Sequence, residues 1–556
     1  MNSFSGLTIK QTPRDKTMNL AFLSSYTSDF IVNEMKQLIK EEPLDISCHI
    51  APFGQWQQEV LDEQSHSRQT QPNIVIISLD DQTLFKLGCN GISQFIREAA
   101  HAFSSSDILI HNCVLLHQMP LQFLQWNTAQ SVREMISRLN STMAEVCREH
   151  NNVRIIDLQS LVEQHGRNKL LDNRFGYLAK APFSQYGNQV IAQQLVTGIN
   201  ACFGKRAKCI IVDLDNVLWG GILGEEGVEH IQLSNDGIGR AFHDFQKVLL
   251  SLLDSGIILA ICSKNNESDA LEVLEKHPHM VLHTKHFAAW RINWQDKASN
   301  IKGLAQELNI GLDTLVFLDD SKHEREYIKS TLPEVIVPEL PEEPCDYPDF
   351  VAQLPYFETF KLTDEDRNKA EMYTADKRRK KQQNTAGSLK EFLQSLNIQL
   401  QLEAVDNLNL PRISQLTQKT SQFNLTTRRY SENEIKLLLD SGWKIIALSC
   451  CDRFGDLGII GVAMLEIKNG LATLDNFLLS CRALGRGIEQ TFLALVLENS
   501  AKCGATKLCA QFIPTKKNSV AQDFLSQNLS KQKDGWYIGQ TNKSINIPDW
   551  IKVKHE

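Results

Sequence analysis

The chain has 556 residues, a formal net charge of −8, 42% hydrophobic and 22% charged residues. At about 150 residues per domain this predicts three or four folded domains, and it excludes a largely disordered or collagen-like chain; the acid excess argues against nucleic-acid binding as the main activity. No apolar run approaches the roughly 20 residues that span a bilayer, and the 13 cysteines form no C-x-x-C pair, so neither a membrane span, a disulfide scaffold nor a zinc site is expected. The first residues do not read as a signal peptide, and a reducing, cytoplasmic compartment is expected.

From about 17 to 200, short apolar runs alternate with helical patterns. MNLAFLSS (18–25), NIVIISLD (73–80), DILIHNC (107–113) and VRIIDL (153–158) read as buried strands. That alternation predicts a parallel sheet covered on both faces. A second α/β series follows, with predicted strands KCIIVDLDN (208–216), GIILAIC (256–262), HMVLHT (279–284), TLVFLDD (314–320) and VIVPEL (335–340). PELPEEPCDYPD (338–349) holds four prolines and reads as a linker. KRRKK, behind several acids, reads as a solvated helical face. From about 397 the pattern turns strand-rich (NIQLQLEAV, WKIIALSC, LGIIGVAMLEI, LATLDNFLL), followed by the helix GIEQTFLALVLENSAKCG and the strand KLCAQFI. The predicted domains are 1–203, 204–345 and 346–556.

The most informative string is IIVDLDNVLWGG. An apolar strand ends in Asp213 and Asp215, at the edge of an open parallel sheet where ligands collect. Two close carboxylates repel unless a divalent cation offsets them, and Mg2+ suits oxygen ligands. One carboxylate can then act on phosphorus or bind metal while the other transfers a proton. Ser263 follows GIILAIC and supplies a hydroxyl for phosphate. Lys297 precedes an apolar helix and can neutralise a phosphoryl group. TLVFLDD delivers Asp319 and Asp320 at another strand end. Trp219, Gly220 and Gly221 are expected to shape the loop over the site. A second signal is R-x-x-G-x-G (Arg482, Gly485, Gly487), between an apolar strand and an apolar helix; glycines there let backbone N–H groups approach a phosphate or pyrophosphate.

The order Asp213, Ser263, Lys297, Asp319 resembles the haloacid dehalogenase-like superfamily. That resemblance implies Asp213 as phosphoryl-accepting nucleophile and Asp215 as acid/base, with Ser263 and Lys297 holding phosphate. It also implies Mg2+ on Asp213, the Asp215 carbonyl and Asp319, with Asp320 in support. Val217 departs from the pattern, standing where Thr is common. The glycine loop resembles the acyl-CoA-binding loop of the GNAT acyltransferase fold, which implies a phosphopantetheine arm on CoA or on a carrier protein. DLDNVLWGGILGEEG, ICSKNNE, FLDDSKHERE, LTQKTSQFNLTTRRY, DRFGDLGIIGV and SCRALGRGIE together resemble the FkbH-like family. That family implies transfer of a three-carbon glyceryl unit from an acyl phosphate, 1,3-bisphosphoglycerate, to an acyl carrier protein, with loss of phosphate, for polyketide-type biosynthesis. A cysteine thiolate could carry the acyl group, with Cys262 and Cys481 as candidates.

The first 200 residues resemble an SGNH-hydrolase-like domain. Ser24 and Ser25 follow the first strand, but KAPFSQYGNQVIAQQL contains no histidine to serve as base, so an inactive version is expected, with a docking role for the carrier protein. The fold class is therefore multidomain α/β: SGNH-like α/β, haloacid dehalogenase-like Rossmannoid α/β, and GNAT-like α+β. Asn424, Thr426, Thr427, Arg428 and Arg429 in FNLTTRRY are open between ligand contact and packing. Arg453 and Asp456 are read as an ion pair across a hairpin, and His286 and His323 as ordinary surface histidines. Two competing readings are a plain Mg2+-dependent phosphatase of a small phosphorylated metabolite and a noncatalytic assembly protein.

Overall fold

The computed structural model describes residues 17–40, 45–117, 119–204, 206–363, 379, 382, 388–515, 518–542 and 545–554. The chain divides into two compact units, Met1–Cys202 and Phe203–Glu556.

The first unit holds five strands, β1 (Thr17–Ser24), β2 (Asp45–Ile50), β3 (Ile74–Ser78), β4 (Asp107–His111) and β5 (Val153–Ile156). All pair in parallel, in the order β2-β1-β3-β4-β5. β3 reads IVIIS and is buried at every position, as a strand sealed by helices on both faces must be. The strand missing from the sequence reading is β2. Its sequence, DISCHI, lacks an apolar run because it lies at the sheet edge and is only half buried.

The second unit carries two sheets. The first has β6 (Cys209–Val212), β7 (Ile258–Ser263), β8 (Phe287–Ile292) and β9 (Leu315–Leu318), parallel in the order β8-β7-β6-β9. The helix Gly237–Asp254 turns Phe242, Phe245, Leu249 and Leu253 to one face of it. The helix Lys297–Leu308 turns Ala298, Ile301, Leu304 and Leu308 to the other. Two predicted strands shift. HMVLHT is a loop that runs into a short turn of helix at Thr284–His286; the strand is the next segment, FAAWRI. VIVPEL contributes only the single bridge of Ile336 to Val316.

The proline-rich run is not a linker. Leu340, Tyr347, Val351, Leu354 and Phe357 are buried in the same apolar cluster as Phe242 and Phe245, and the helix Tyr347–Ala352 packs against Gly237–Asp254. Proline at the start of that helix costs nothing, since its missing N–H has no partner there in any case. The central layer therefore continues to about Phe357.

The last sheet has β10 (Ile398–Glu403), β11 (Lys444–Asp452), β12 (Gly455–Lys468), β13 (Leu471–Leu479), β14 (Lys507–Gln511), β15 (Ser530–Lys531), β16 (Trp536–Gln540) and β17 (Ile551–Lys554). Their order is β15-β16-β14-β13-β12-β11-β10-β17. β10 to β13 run antiparallel, whereas β13 and β14 are parallel and joined by the helix Ile488–Lys502. The whole is thus multidomain α/β, with two parallel sheets and one mixed α+β sheet. Most of KRRKK lies outside the described residues. Arg379, which is described, is not on a solvated face: it is buried and grips Asp452 through two bonds of 2.7 and 2.8 Å. Among the described residues, no helix is long and apolar enough to cross a membrane.

Candidate functional site: carboxylates at the ends of the central strands

β6, β7 and β9 end at one edge of their sheet, and that edge carries the predicted residues. Asp213 follows β6, and its N–H is bonded to Leu318 O at 3.0 Å, continuing the ladder to β9. Asp319 is the residue after β9. Lys297 is the first residue of its helix, because Asp296 caps it by accepting the Ser299 N–H at 2.7 Å. Lys297 Nζ donates to Asp213 Oδ2 and to Asp319 Oδ2, each at 2.6 Å, with the side chain only 3% exposed. The two carboxylates hold the Lys297 ammonium well above its usual range, outweighing burial, so it stays charged.

One lysine does not balance the pocket. Asp213, Asp319 and Asp320 each offer an oxygen within 4.8 Å of the others. Burial, and then the charge of Asp213, push the carboxyls of Asp319 and Asp320 up from their ordinary values. Arg325 donates to the backbone carbonyls of both Asp319 and Asp320 at 2.7 Å and orients the pair. Three converging hard oxygen donors with a charge deficit fit Mg2+.

Asp215 sits apart from this trio, held by three donors. Its Oδ1 accepts from Trp219 Nε1 at 2.9 Å and Leu223 N at 3.2 Å, and its Oδ2 accepts from Asn265 Nδ2 at 2.9 Å. Burial pushes its carboxyl up, the three donors pull it down, and burial wins. The metal role implied for Asp215 is that of its backbone carbonyl; its carboxylate is engaged by these hydrogen bonds and lies outside the trio that could hold a cation.

The loop Leu214–Leu223 is built tightly. Asn216 adopts a left-handed φ of 54° and accepts the Gly221 N–H at 2.9 Å. Gly220 pairs with Gln232 through two backbone bonds, and a Cβ there would meet Phe242 at 2.8 Å. Behind the loop, the fully buried Gln246 donates to Leu218 O at 2.7 Å and accepts the N–H groups of Val281 and Leu282. Tyr347 donates to Asn216 O at 3.3 Å.

Ser263 ends β7 and is buried. Cys262, one residue earlier, faces the opposite way, into the apolar layer with Ala260, Ala298 and Ile301. It is 0% exposed, and burial pushes its thiol up to about 12. An acyl-carrying role requires an accessible thiolate, so Cys262 is packing. Cys481 is partly exposed. Its thiol donates to Asn309 O at 3.6 Å, while its own carbonyl accepts from Asn309 Nδ2 at 3.3 Å.

The glycine loop also departs from expectation. Gly485 and Gly487 have φ of 76° and 82°, but the Gly485 N–H donates to the carboxylate of Glu489. Trp550 Nε1 donates to Arg486 O at 2.9 Å, and a Cβ on Gly487 would stand 2.7 Å from Pro548 Cγ. Gly487 is thus packed against Pro548, while Arg482 is half-buried and Gly485 is exposed with its N–H taken up by Glu489. The expected Arg453–Asp456 pair is also replaced: Arg453 lies over the Phe454 ring at 5.2 Å, and Asp456 accepts the Gly458 N–H at 2.7 Å.

In the first unit, the Ser24 hydroxyl is buried and donates to Tyr26 O at 2.8 Å, and Ser25 Oγ accepts the Asp80 N–H at 2.8 Å. Sequence reasoning missed a buried chain beneath them: Tyr26 OH bonds Ser78 Oγ at 2.5 Å, and Ser78 Oγ bonds His111 Nδ1 at 2.6 Å. Burial pushes His111 down to about 4.

No family model and no curated relative matches the chain. Among solved structures, the N-terminal part of the protein BF1531 from Bacteroides fragilis, containing a phosphatase domain and complexed with Mg, is similar at 29% identity and a TM-score of 0.60, over 63% of this chain and 97% of that one. A lipase/acylhydrolase from Enterococcus faecalis is 15% identical over 33% of this chain and 95% of its own, TM-score 0.26. The ribosomal-protein-S18-alanine N-acetyltransferase from Escherichia coli is 14% identical over 26% and 96%, TM-score 0.21. These last two likenesses are too weak to carry an argument.

Proposed function

We propose that the chain is a Mg2+-dependent enzyme that cleaves a small acyl phosphate and passes the acyl group to the phosphopantetheine thiol of an acyl carrier protein. The observation that carries the phosphoryl half is the convergence of Asp213, Asp319 and Asp320 around Lys297. The Mg complex of the similar Bacteroides fragilis fragment, described as containing a phosphatase domain, supports it.

Asp213, Asp319 and Asp320 would hold Mg2+, which supplies charge neutralisation for an incoming phosphoryl oxygen. Asp213, paired with Lys297, is the nucleophile toward the phosphorus of a phosphate ester on the donor, whose alcohol oxygen leaves; water then hydrolyses the phosphoaspartate. Lys297 neutralises the transferring phosphoryl group. The acyl phosphate itself is attacked at its carbonyl carbon by the carrier thiol, which forms the thioester and expels phosphate. Asp215, whose carboxyl is raised by burial, holds the proton for the leaving group and takes it back from water in the second step. Ser263 donates to a phosphoryl oxygen. Trp219, Asn265 and Arg325 are positioning residues.

The acyl half rests on the FkbH-like resemblance, which implies 1,3-bisphosphoglycerate as donor and a polyketide-type product. The first unit, whose Ser24 hydroxyl is engaged by Tyr26 and Ser25 hydroxyl by the Asp80 N–H, is assigned a noncatalytic docking role. The Gly485 N–H, taken up by the Glu489 carboxylate, favours the simpler alternative of a Mg2+-dependent phosphatase. Incubation with Mg2+, 1,3-bisphosphoglycerate and carrier protein tests the two. A carrier heavier by one glyceryl unit is expected, whereas free phosphate with unmodified carrier selects the phosphatase.

A further inference from the structure

β13 and β14 are parallel neighbours only over Leu471–Leu474 and Lys507–Ala510. β13 runs on to Leu479 without β14 beside it. Two parallel strands that part in this way leave backbone N–H and C=O groups facing an opening, and such groups must be paired. An extended chain carrying amides is the natural occupant, by the same logic as strand addition at a sheet edge. A pantetheine arm, linear with two secondary amides, has the chemistry for it.

Here the protein supplies the occupant. Residues 423–426 of FNLTTRRY lie in the opening as an unassigned extra strand. On one side, Leu479 N–H donates to Phe423 O at 3.0 Å and Leu425 N–H to Phe477 O at 3.3 Å, with an antiparallel bridge of Asn424 to Leu478. On the other side, Ile513 N–H donates to Leu425 O at 2.9 Å. Asn518 Nδ2 ties Asn424 O to Ile513 O at 3.0 Å each, and Thr426 Oγ1 donates to Asp475 O at 3.0 Å. Phe423 packs on Phe524 and Phe477 with ring centres 5.2 and 6.1 Å apart. All four residues are buried, none more than 3% exposed.

A second, separate observation agrees. At the glycine loop, where a pyrophosphate would need free N–H groups and a positive field, Gly485 is capped by the Glu489 carboxylate, itself only 8% exposed. A carboxylate on the first turn of the helix takes up the Gly485 N–H and disfavours a second acidic group beside it.

We infer that Phe423–Thr426 is the permanent occupant of the opening between β13 and β14, and that the last domain takes neither CoA nor a pantetheine arm there. Taken with the proposed acyl transfer, on which this corollary alone rests, the acceptor thiol then approaches the carboxylate pocket directly.

The inference is tested on the full-length protein by equilibrium dialysis against labelled acetyl-CoA and pantetheine, alongside amide hydrogen exchange. At millimolar ligand no retention in this domain is expected, and amides of Leu425, Leu479 and Ile513 should exchange only through global unfolding, with ligand or without. Retention of acetyl-CoA accompanied by faster exchange at 423–426 would overturn it. Leu425→Ala should lower the melting temperature without conferring acetyl-CoA retention. A Leu425→Ala protein that gains such retention would show a latent CoA site and overturn the inference equally. None of these readouts depends on turnover, so they stand apart from the proposed reaction.

Discussion

Both parallel sheets of this chain place polar side chains at the carboxyl ends of their strands, yet only one of them gathers like charges there. In the first unit, Tyr26, Ser78 and His111 are linked in a buried hydrogen-bonded chain that leaves His111 Nε2 without a partner among the described residues. In the central sheet, Asp213, Asp319 and Asp320 crowd around a single lysine and leave an unbalanced charge. Polar groups that satisfy each other stabilise a fold. Like charges held together by the fold against their repulsion are poised to act on something else.

That contrast can be broken most sharply at Asp213. Asp213→Asn is expected to cut Mg2+-dependent phosphate release from the phosphate ester of the donor by roughly a thousandfold or more, since it removes the proposed nucleophile and a proposed metal ligand together. Unchanged turnover with unchanged metal demand would dissolve the distinction between the two sheets. Lys297→Met leaves two buried carboxylates without their counter-charge and should cost about 3–5 kcal/mol by urea denaturation; an unaltered midpoint would show that the charges are not under tension.

The quieter sheet has its own signature in pH. Burial lowers His111 from its ordinary 6.5 to about 4, so between those values the unfolded chain binds a proton that the folded one does not. Stability is therefore full above 6.5 and falls as pH drops toward 4, by roughly 3 kcal/mol from this group. The difference between wild type and His111→Asn, followed by thermal melts across that window, should show this slope. Smallest is Ser78→Ala, expected to cost about 1–3 kcal/mol because Tyr26 and His111 each lose a buried partner, with no effect on phosphate release. A loss of activity there would mean that the first unit is not merely structural.

The central site was legible because its chemistry needs charged residues at strand ends, and each follows an apolar run that announces the strand. What fixes those residues in place was not legible. Asn265, Gln246, Arg325 and Tyr347 are single polar residues whose partners lie 50, 28, 6 and 131 positions away, and no local spacing encodes them. Strand β8 was displaced by one segment because HMVLHT also offers a short apolar run, and pairing with β7 falls to FAAWRI. FNLTTRRY was open between ligand contact and packing because its role depends on where β13 and β14 part, a tertiary fact. The glycine loop is a related case: the motif reports backbone freedom, while the contacts of Gly485 with Glu489 and of Gly487 with Pro548 are set by the fold.

The hydroxyl of Tyr347 on Asn216 has a practical corollary for dissecting this protein. A fragment cut at residue 345 would discard the aromatic buttress of the aspartate loop and bare the greasy flank of the helix beneath, so it should express as aggregate, whereas one extended beyond Phe357 keeps that wedge and should remain soluble.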